Sequence, residues 1–312
     1  MSSSGKIAFC FPGQGSIEEG MGRDIAEAVP EAMQVFETGS EASGLDLKKL
    51  CFEGDLDTLF QTEIQQPALV TSSLAVLAAL KARGITPDYV VGHSVGEYAA
   101  LAAVEAMSTD AAIALVRERA LATAEAAREH PGAMAAILGL DDEVIERLCA
   151  SIEGVWPANY NCPGQIVVSG ENAAVEQLLA AAQAEGARRA VMLKVSGAFH
   201  SPLVERAASR LKPAVDLIHF AEPRVPFVST VTAQVEHAER IGGLLVDQLT
   251  APVKFTQAVS GLVRDGVKTF VEVGPGTVLS GLVKRIDRGV TSLSVNNLAA
   301  LQKAEDALAA QA

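Results

Sequence analysis

Gly92-His93-Ser94-Val95-Gly96 is a G-x-S-x-G pattern. It lies between the apolar run Tyr89-Val90-Val91 and the helical pattern VGEYAALAAVEAM. Between a strand and a helix, these glycines permit a sharp turn that lifts a serine hydroxyl out of the sheet. The helix start aims its free N–H groups and positive dipole end at the same place. The expected chemistry is nucleophilic attack by Ser94 Oγ. A serine needs a base, and the chain has five histidines: His93, His130, His200, His219 and His237. His93 adjoins the serine, where neighbouring side chains diverge, so packing or orientation is its expected role. His130 precedes Pro131, and His219 and His237 stand in polar surroundings. His200, in the Gly-containing loop Ser196-Gly-Ala-Phe-His-Ser-Pro202 before a helix start, is the base by elimination.

Hydrolases with this elbow place an acid between serine and histidine in chain order. No Asp or Glu stands at an obvious strand end between Ser94 and His200. A Ser–His dyad, with the imidazole Nδ1–H held by a carbonyl oxygen, would orient the ring without a carboxylate. That points away from an ordinary serine esterase or thioesterase, the alternative reading.

Stepping outward, KIAFCF over 6–11 reads as a buried strand stopped by Pro12-Gly13. Helical patterns follow over 21–37, 66–83 and 110–128. From about 131 the rhythm becomes strand (GAMAAILGL), helix (DDEVIERLCASI), a strand pair around Pro163-Gly164, helix (ENAAVEQLLAAAQAEG) and strand (ARRAVMLKV). That βαββαβ order is ferredoxin-like. Residues 126–195 are expected to form a small subdomain inserted in a larger α/β subdomain made of 1–125 and 196–312. After 195 the pattern continues with a helix begun near Ser201, the strand PFVST, a helix near 239–249, KTFVEVGPG as strand plus turn, and the helix VLSGLVKRI. The Ala-rich tail AALQKAEDALAAQA is expected to be peripheral.

The 312 residues are 49% hydrophobic, enough for a large core, and only 4% aromatic, so that core must be mostly Ala, Val and Leu. A formal charge of −13 argues against general nucleic-acid binding. The four cysteines show no C-x-x-C spacing, so buried, reduced thiols are expected rather than disulfides or zinc. The first apolar run is too short for a signal sequence, and no segment reaches the length of a membrane span. A cytoplasmic protein is expected.

Six motifs occur in order: Phe11-Pro-Gly-Gln-Gly-Ser16, Gly92-His-Ser-Val-Gly-Glu-Tyr98, Gly132-Ala-Met-Ala135, Asn161-Cys-Pro-Gly-Gln165, Gly197-Ala-Phe-His-Ser201 and Glu272-Val-Gly-Pro-Gly276. Together they resemble the malonyl-CoA:acyl carrier protein transacylases of type II fatty acid synthesis and the related acyltransferase domains of polyketide synthases. The resemblance runs from about residue 6 to 290. It implies an α/β-hydrolase-like core with a mostly parallel sheet and an inserted ferredoxin-like subdomain. It also implies ping-pong malonyl transfer from malonyl-CoA to the phosphopantetheine thiol of acyl carrier protein, without a metal or redox cofactor, in a chain that is usually a monomer.

Carried over by motif, Ser94 is the nucleophile and His200 the general base and acid. The backbone N–H groups of Gln14 and Val95 form the oxyanion hole. Val95 replaces a Leu found in many members, which a backbone role tolerates. The family's ligand for the substrate carboxylate is an arginine on the helix after the serine helix. Helical period leaves Arg117 and Arg119 both open, and the family spacing favours Arg119. Gln248 matches the glutamine whose main-chain carbonyl orients the histidine. Phe199 matches the bulky residue of malonyl-selective members, and Asn161 is a pocket residue or a turn residue before Pro163. The carrier protein is acidic, as this chain is, so docking needs a local basic patch. Candidates are Arg188, Arg189, Lys194, Lys284, Arg285 and Arg288.

Overall fold

The computed structural model describes residues 5–195 and 197–310. Its main sheet has the order β10-β9-β1-β2-β7-β8. At its centre is β1 (Lys6–Phe11), an apolar run that suits a strand covered on both faces. Five helices lead from it: α1 (Arg23–Ala28), α2 (Pro30–Ser43), α3 (Leu47–Glu53), α4 (Leu56–Leu59) and the long, almost wholly buried α5 (Thr62–Ala82). The chain then enters β2 (Tyr89–Gly92), parallel to β1. Their register pairs Phe11 with Gly92, so the loop after β1 and the elbow after β2 emerge side by side. The elbow feeds α6 (Gly96–Ala103), followed by α7 (Thr109–Glu129), whose N-cap Ser108 accepts from Ala111 N–H.

The second sheet is antiparallel, with order β4-β5-β3-β6. Its chain order is β3 (Ala133–Leu138), α8 (Asp142–Ser151), β4 (Val155–Cys162), β5 (Gln165–Gly170), α9 (Asn172–Ala184) and β6 (Arg189–Met192). This is the expected βαββαβ arrangement, and the mostly parallel sheet beside it completes the expected fold class. One face of the small sheet, including Ala135, Ile137 and Val168, packs with Ile145, Val175 and Leu178 of α8 and α9. The alternate residues Met134, Ala136, Asn161 and Val167 face the cleft between the sheets. Ser196, where the sequence puts the return to the larger subdomain, lies outside the described residues, as do the terminal bounds 1 and 312.

Beyond it come α10 (Glu205–Asp216), β7 (Phe227–Ser229), β8 (Gln234–Glu236), α11 (Ala238–Asp247), α12 (Phe255–Arg264), β9 (Val267–Val273), α13 (Val278–Ile286), β10 (Thr291–Val295) and α14 (Leu298–Ala309). All main-sheet pairs are parallel except β7–β8.

Three local expectations differ. The helical pattern over 21–37 is two helices, because Pro30 at the first turn of α2 leaves Val29 extended. Helix α5 starts at Thr62, with Pro67 inside it. The tail is not peripheral: α14 buries Leu301 and Ala304 in the main core. All four cysteines are free and buried. Among the described residues no helix is long and apolar enough to cross a membrane, and no cluster of His, Cys, Asp or Glu is placed to hold a metal ion.

Candidate active site

Ser94 has φ 53°, the left-handed backbone of a nucleophile elbow, in the tight connection from β2 to α6. Gly96 makes that turn possible: a Cβ there would lie 2.2 Å from the Phe11 carbonyl oxygen. The loop after β1 packs equally closely, since a Cβ on Gly13 would lie 2.6 Å from the His93 carbonyl oxygen. Bare backbone at 13 therefore lets the Gln14 loop sit against the elbow. The Gln14 side chain is tied down by its Nε2–H bond to Gln65 Oε1, 2.7 Å.

His200 lies 106 residues from the serine, yet its Nε2 is 2.7 Å from Ser94 Oγ. It too has a left-handed backbone, φ 59°. Its Nδ1 faces two main-chain carbonyl oxygens, Gln248 at 2.9 Å and Ala251 at 3.2 Å. Carbonyls only accept, so Nδ1 carries the proton and Nε2 is left as the acceptor for the serine hydroxyl. Burial, and then the nearby Arg119 charge, push the His200 pKa down to about 3, so the ring rests neutral. The carbonyl-bearing segment is itself anchored: Val253 and β4 exchange backbone hydrogen bonds, Tyr160 N–H to Val253 O and Val253 N–H to Ala158 O, both 2.8 Å.

Arg119 is 2% exposed. Its Nη2 donates to Ser94 Oγ at 3.1 Å and to Gln248 Oε1 at 3.3 Å, and its Nη1 donates to Gln66 Oε1. Its Nε has no partner, and among the described residues no carboxylate lies within ion-pair distance of it. Burial lowers its pKa, opposed by Tyr98 and Glu97. Arg117 points elsewhere, its Nη1 donating to the Glu63 carbonyl at 2.5 Å. The two arginines that helical period leaves open are thus separated by the fold.

The Ser94–His200 pair opens on a cleft of about 630 Å3. Gln14, Asn161, Phe199 and Lys194 line it, as do Val278 and Leu282 of α13. Phe199 is 6% exposed. Asn161 Oδ1 accepts from His93 Nε2 at 2.9 Å, so His93 bridges the elbow to the small sheet. Among the docking candidates, Lys194 reaches the cleft wall, and Arg285 donates to Gln165, another wall residue, at 2.7 Å. Arg188, Arg189, Lys284 and Arg288 are exposed and do not line the cleft.

Sequence reasoning missed four contributors: Gln65, Gln66, Glu97 and Thr230. Glu97 stood inside the quoted motif without a role. It is fully buried, and its Oε1 accepts from Thr230 N–H, Thr230 Oγ1 and Ser229 Oγ. The EVGPG motif also has a structural role: Glu272 accepts from the N–H groups of Leu279 and Ser280 and caps α13, a wall of the cleft.

A neutral Ser–His pair with an elbow and a buried guanidinium defines a serine acyltransferase-type site. The acyl transferase domain family matches residues 8–311, and the chain belongs to that family. It is 46% identical over 298 residues to the malonyl CoA-acyl carrier protein transacylase of Bacillus subtilis, covering 94% of each chain. The malonyl CoA-acyl carrier protein transacylase of Coxiella burnetii superposes with a TM-score of 0.94 at 36% identity, covering 97% of this chain and 98% of that one. A malonyl-transacylase solved with a type II polyketide acyl-carrier protein gives 0.93 at 39% identity, covering 97% and 99%. Over nearly its whole length the chain resembles malonyl CoA-acyl carrier protein transacylases.

Proposed function

We propose that this chain moves a malonyl group from malonyl-CoA to the phosphopantetheine thiol of an acyl carrier protein, through a malonyl ester on Ser94. The observation that carries this reading is Arg119: a buried guanidinium with no ion-pair partner, 3.1 Å from the nucleophile. A free carboxylate on the acyl group would complete it with two parallel charge-assisted bonds.

In the first half-reaction Ser94 Oγ attacks the thioester carbonyl and its proton passes to His200 Nε2. The Gln14 and Val95 N–H groups face the developing oxyanion. Collapse breaks the C–S bond, and the CoA sulfur leaves with the proton from His200. In the second, His200 takes the proton of the carrier's thiol, the thiolate attacks the ester, and Ser94 leaves reprotonated. The Nδ1–H bonds to Gln248 and Ala251 steady the imidazolium in each step. All the chemistry assigned here uses protein groups and the thioester itself.

The carrier protein enters from the cleft mouth, with Lys194 on the cleft wall and Arg285 bonded to that wall as its nearest basic contacts, and Lys284, Arg188, Arg189 and Arg288 on the exposed surface around them. Residues 126–195 act as an inserted subdomain roofing the site, in a monomeric cytoplasmic enzyme that serves fatty acid or polyketide synthesis. The test is incubation with radiolabelled malonyl-CoA. A stable acyl-enzyme that discharges to holo carrier protein is expected. Rapid release of free malonate would identify a hydrolase, and the absence of labelling in wild type would overturn the reading.

A further inference from the structure

Helix α5 carries Gln66 and helix α7 carries Arg119 and Thr123, all three buried. Two contacts fix these helices against each other on either side of Arg119. Before it, Pro67 has no N–H, so the Glu63 carbonyl one turn back lacks an intrahelical partner and accepts from Arg117 Nη1 instead. After it, Gln66 Nε2 donates to Thr123 Oγ1 at 3.0 Å, while Gln66 Oε1 accepts from Arg119 Nη1.

The Thr123 hydroxyl has one proton. The main-chain carbonyl oxygens of Arg119, at 2.9 Å, and Ala120, at 3.1 Å, take it, since carbonyls only accept. Oγ1 therefore turns its lone pairs toward Gln66 and requires the NH2 end of the amide. The oxygen end is left for the guanidinium, which only donates. Reversing the amide would set NH2 against Arg119 and oxygen against the Thr123 lone pairs. We propose that Thr123 is a positioning residue for acyl selection: by locking the Gln66 amide it holds the Nη1 end of Arg119 with a neutral acceptor, so that the Nη2 end stays beside Ser94 with its charge available. A carboxylate in place of the amide would anchor the guanidinium as well, but would neutralise the cation that the acyl carboxylate must meet. This inference rests on the proposed malonyl transfer.

The test compares Thr123→Val with Thr123→Ser. Valine keeps the size and branching of threonine and deletes the hydroxyl, whereas serine keeps the hydroxyl and deletes the methyl group. Thr123→Val should lower the kcat/KM ratio for malonyl-CoA over acetyl-CoA about threefold to tenfold, the scale of one buried hydrogen bond. The fall should be carried by malonyl-CoA. Thr123→Ser should keep the wild-type ratio. A packing role for Thr123 predicts the reverse order. In an Arg119→Ala background Thr123→Val should leave the ratio unchanged, because the residue acts through the guanidinium. Should Thr123→Val not fold, Gln66→Met, which keeps the side-chain length but deletes the amide, must lower the same ratio. Wild-type discrimination in a folded Thr123→Val or Gln66→Met enzyme, or a fall in Thr123→Ser that matches the one in Thr123→Val, would overturn the lock. Failure of wild type to form malonyl-enzyme would instead overturn the proposed function.

Discussion

Replacing Arg119 with alanine should do two separable things. The first concerns acyl choice. Two hydrogen bonds from a guanidinium to a substrate carboxylate are worth about 1.5–3 kcal/mol each. Arg119 already donates to Ser94, Gln248 and Gln66, so substrate binding exchanges partners as well as adding them. The lower end, about 3 kcal/mol in total, is therefore the appropriate figure, and it corresponds to roughly a hundredfold in kcat/KM. The second effect concerns the base. The Arg119 charge is the second-largest cause of the depressed His200 pKa, after burial. Removing it should raise that pKa while burial keeps it below the ordinary 6.5. The acid limb of acetyl-enzyme formation should then move to higher pH in Arg119→Ala than in wild type. Rapid-quench labelling with malonyl-CoA and acetyl-CoA across pH measures both effects. If the malonyl-to-acetyl ratio stays within about threefold of wild type, far short of the loss of two charge-assisted bonds, Arg119 is not the carboxylate clamp. If the ratio falls but the acid limb does not move, the charge coupling to His200 is wrong.

Other predictions test the frame around this pair. His200 has a lowered folded pKa, so below its unfolded value of 6.5 the unfolded chain binds the extra proton. Its contribution to stability is present above pH 6.5 and is lost as pH falls toward about 3, at up to about 1.4 kcal/mol per pH unit. Denaturant titrations of wild type and His200→Gln should diverge in slope only within that window. Gly96→Ala places a methyl group against the Phe11 carbonyl and should cost about 3 kcal/mol, at the upper end of overpacking costs. Chemical denaturation and loss of Ser94 labelling would show it, and a full-strength acyl-enzyme at wild-type stability would refute the elbow packing. Reversing both charges in Lys284→Glu/Arg285→Glu should slow discharge to carrier protein about tenfold at low salt through the association rate, with the effect fading as salt rises. Unchanged discharge would remove that patch from the docking surface.

What the sequence disclosed was what is local or set by side-chain type. The elbow needs only Gly-x-Ser-x-Gly between a strand and a helix, and the βαββαβ order needs only alternating patterns. His200 was reachable because few histidines compete. The choice between Arg117 and Arg119 was closed to periodicity, since α7 is packed on several sides and both positions have apolar neighbours. It is decided by what lies across the interface: the Glu63 carbonyl for one, Gln66 and Gln248 for the other. Gln248 acts on His200 through its backbone, and no side-chain chemistry advertises that. Glu97 was visible as a letter but not as a buried carboxyl, because its burial depends on β7 lying beside β2, a pairing 132 residues away in the chain. The strands β8 and β10 and the helices α3, α4 and α12 are short elements whose patterns only tertiary packing makes decisive.

The two carbonyls on His200 Nδ1 explain why a carboxylate is dispensable here. A triad acid would add a negative charge beside the ring and keep the base strong with any acyl group, or with water. In this site the ring is weakened by burial and by a neighbouring cation. An acyl group that brings its own carboxylate to Arg119 neutralises that cation and thereby strengthens the base. Malonyl would thus supply part of the electrostatic support that an acid gives in a triad, and acetyl would not. Selection then acts twice, on binding at Arg119 and on proton transfer at His200, so the total preference for malonyl should exceed what the lost carboxylate bonds alone account for. The measured excess would be the share carried by the histidine. Because a strengthened base also protonates at higher pH, the excess should be full above the acid limb and should shrink as pH falls through it.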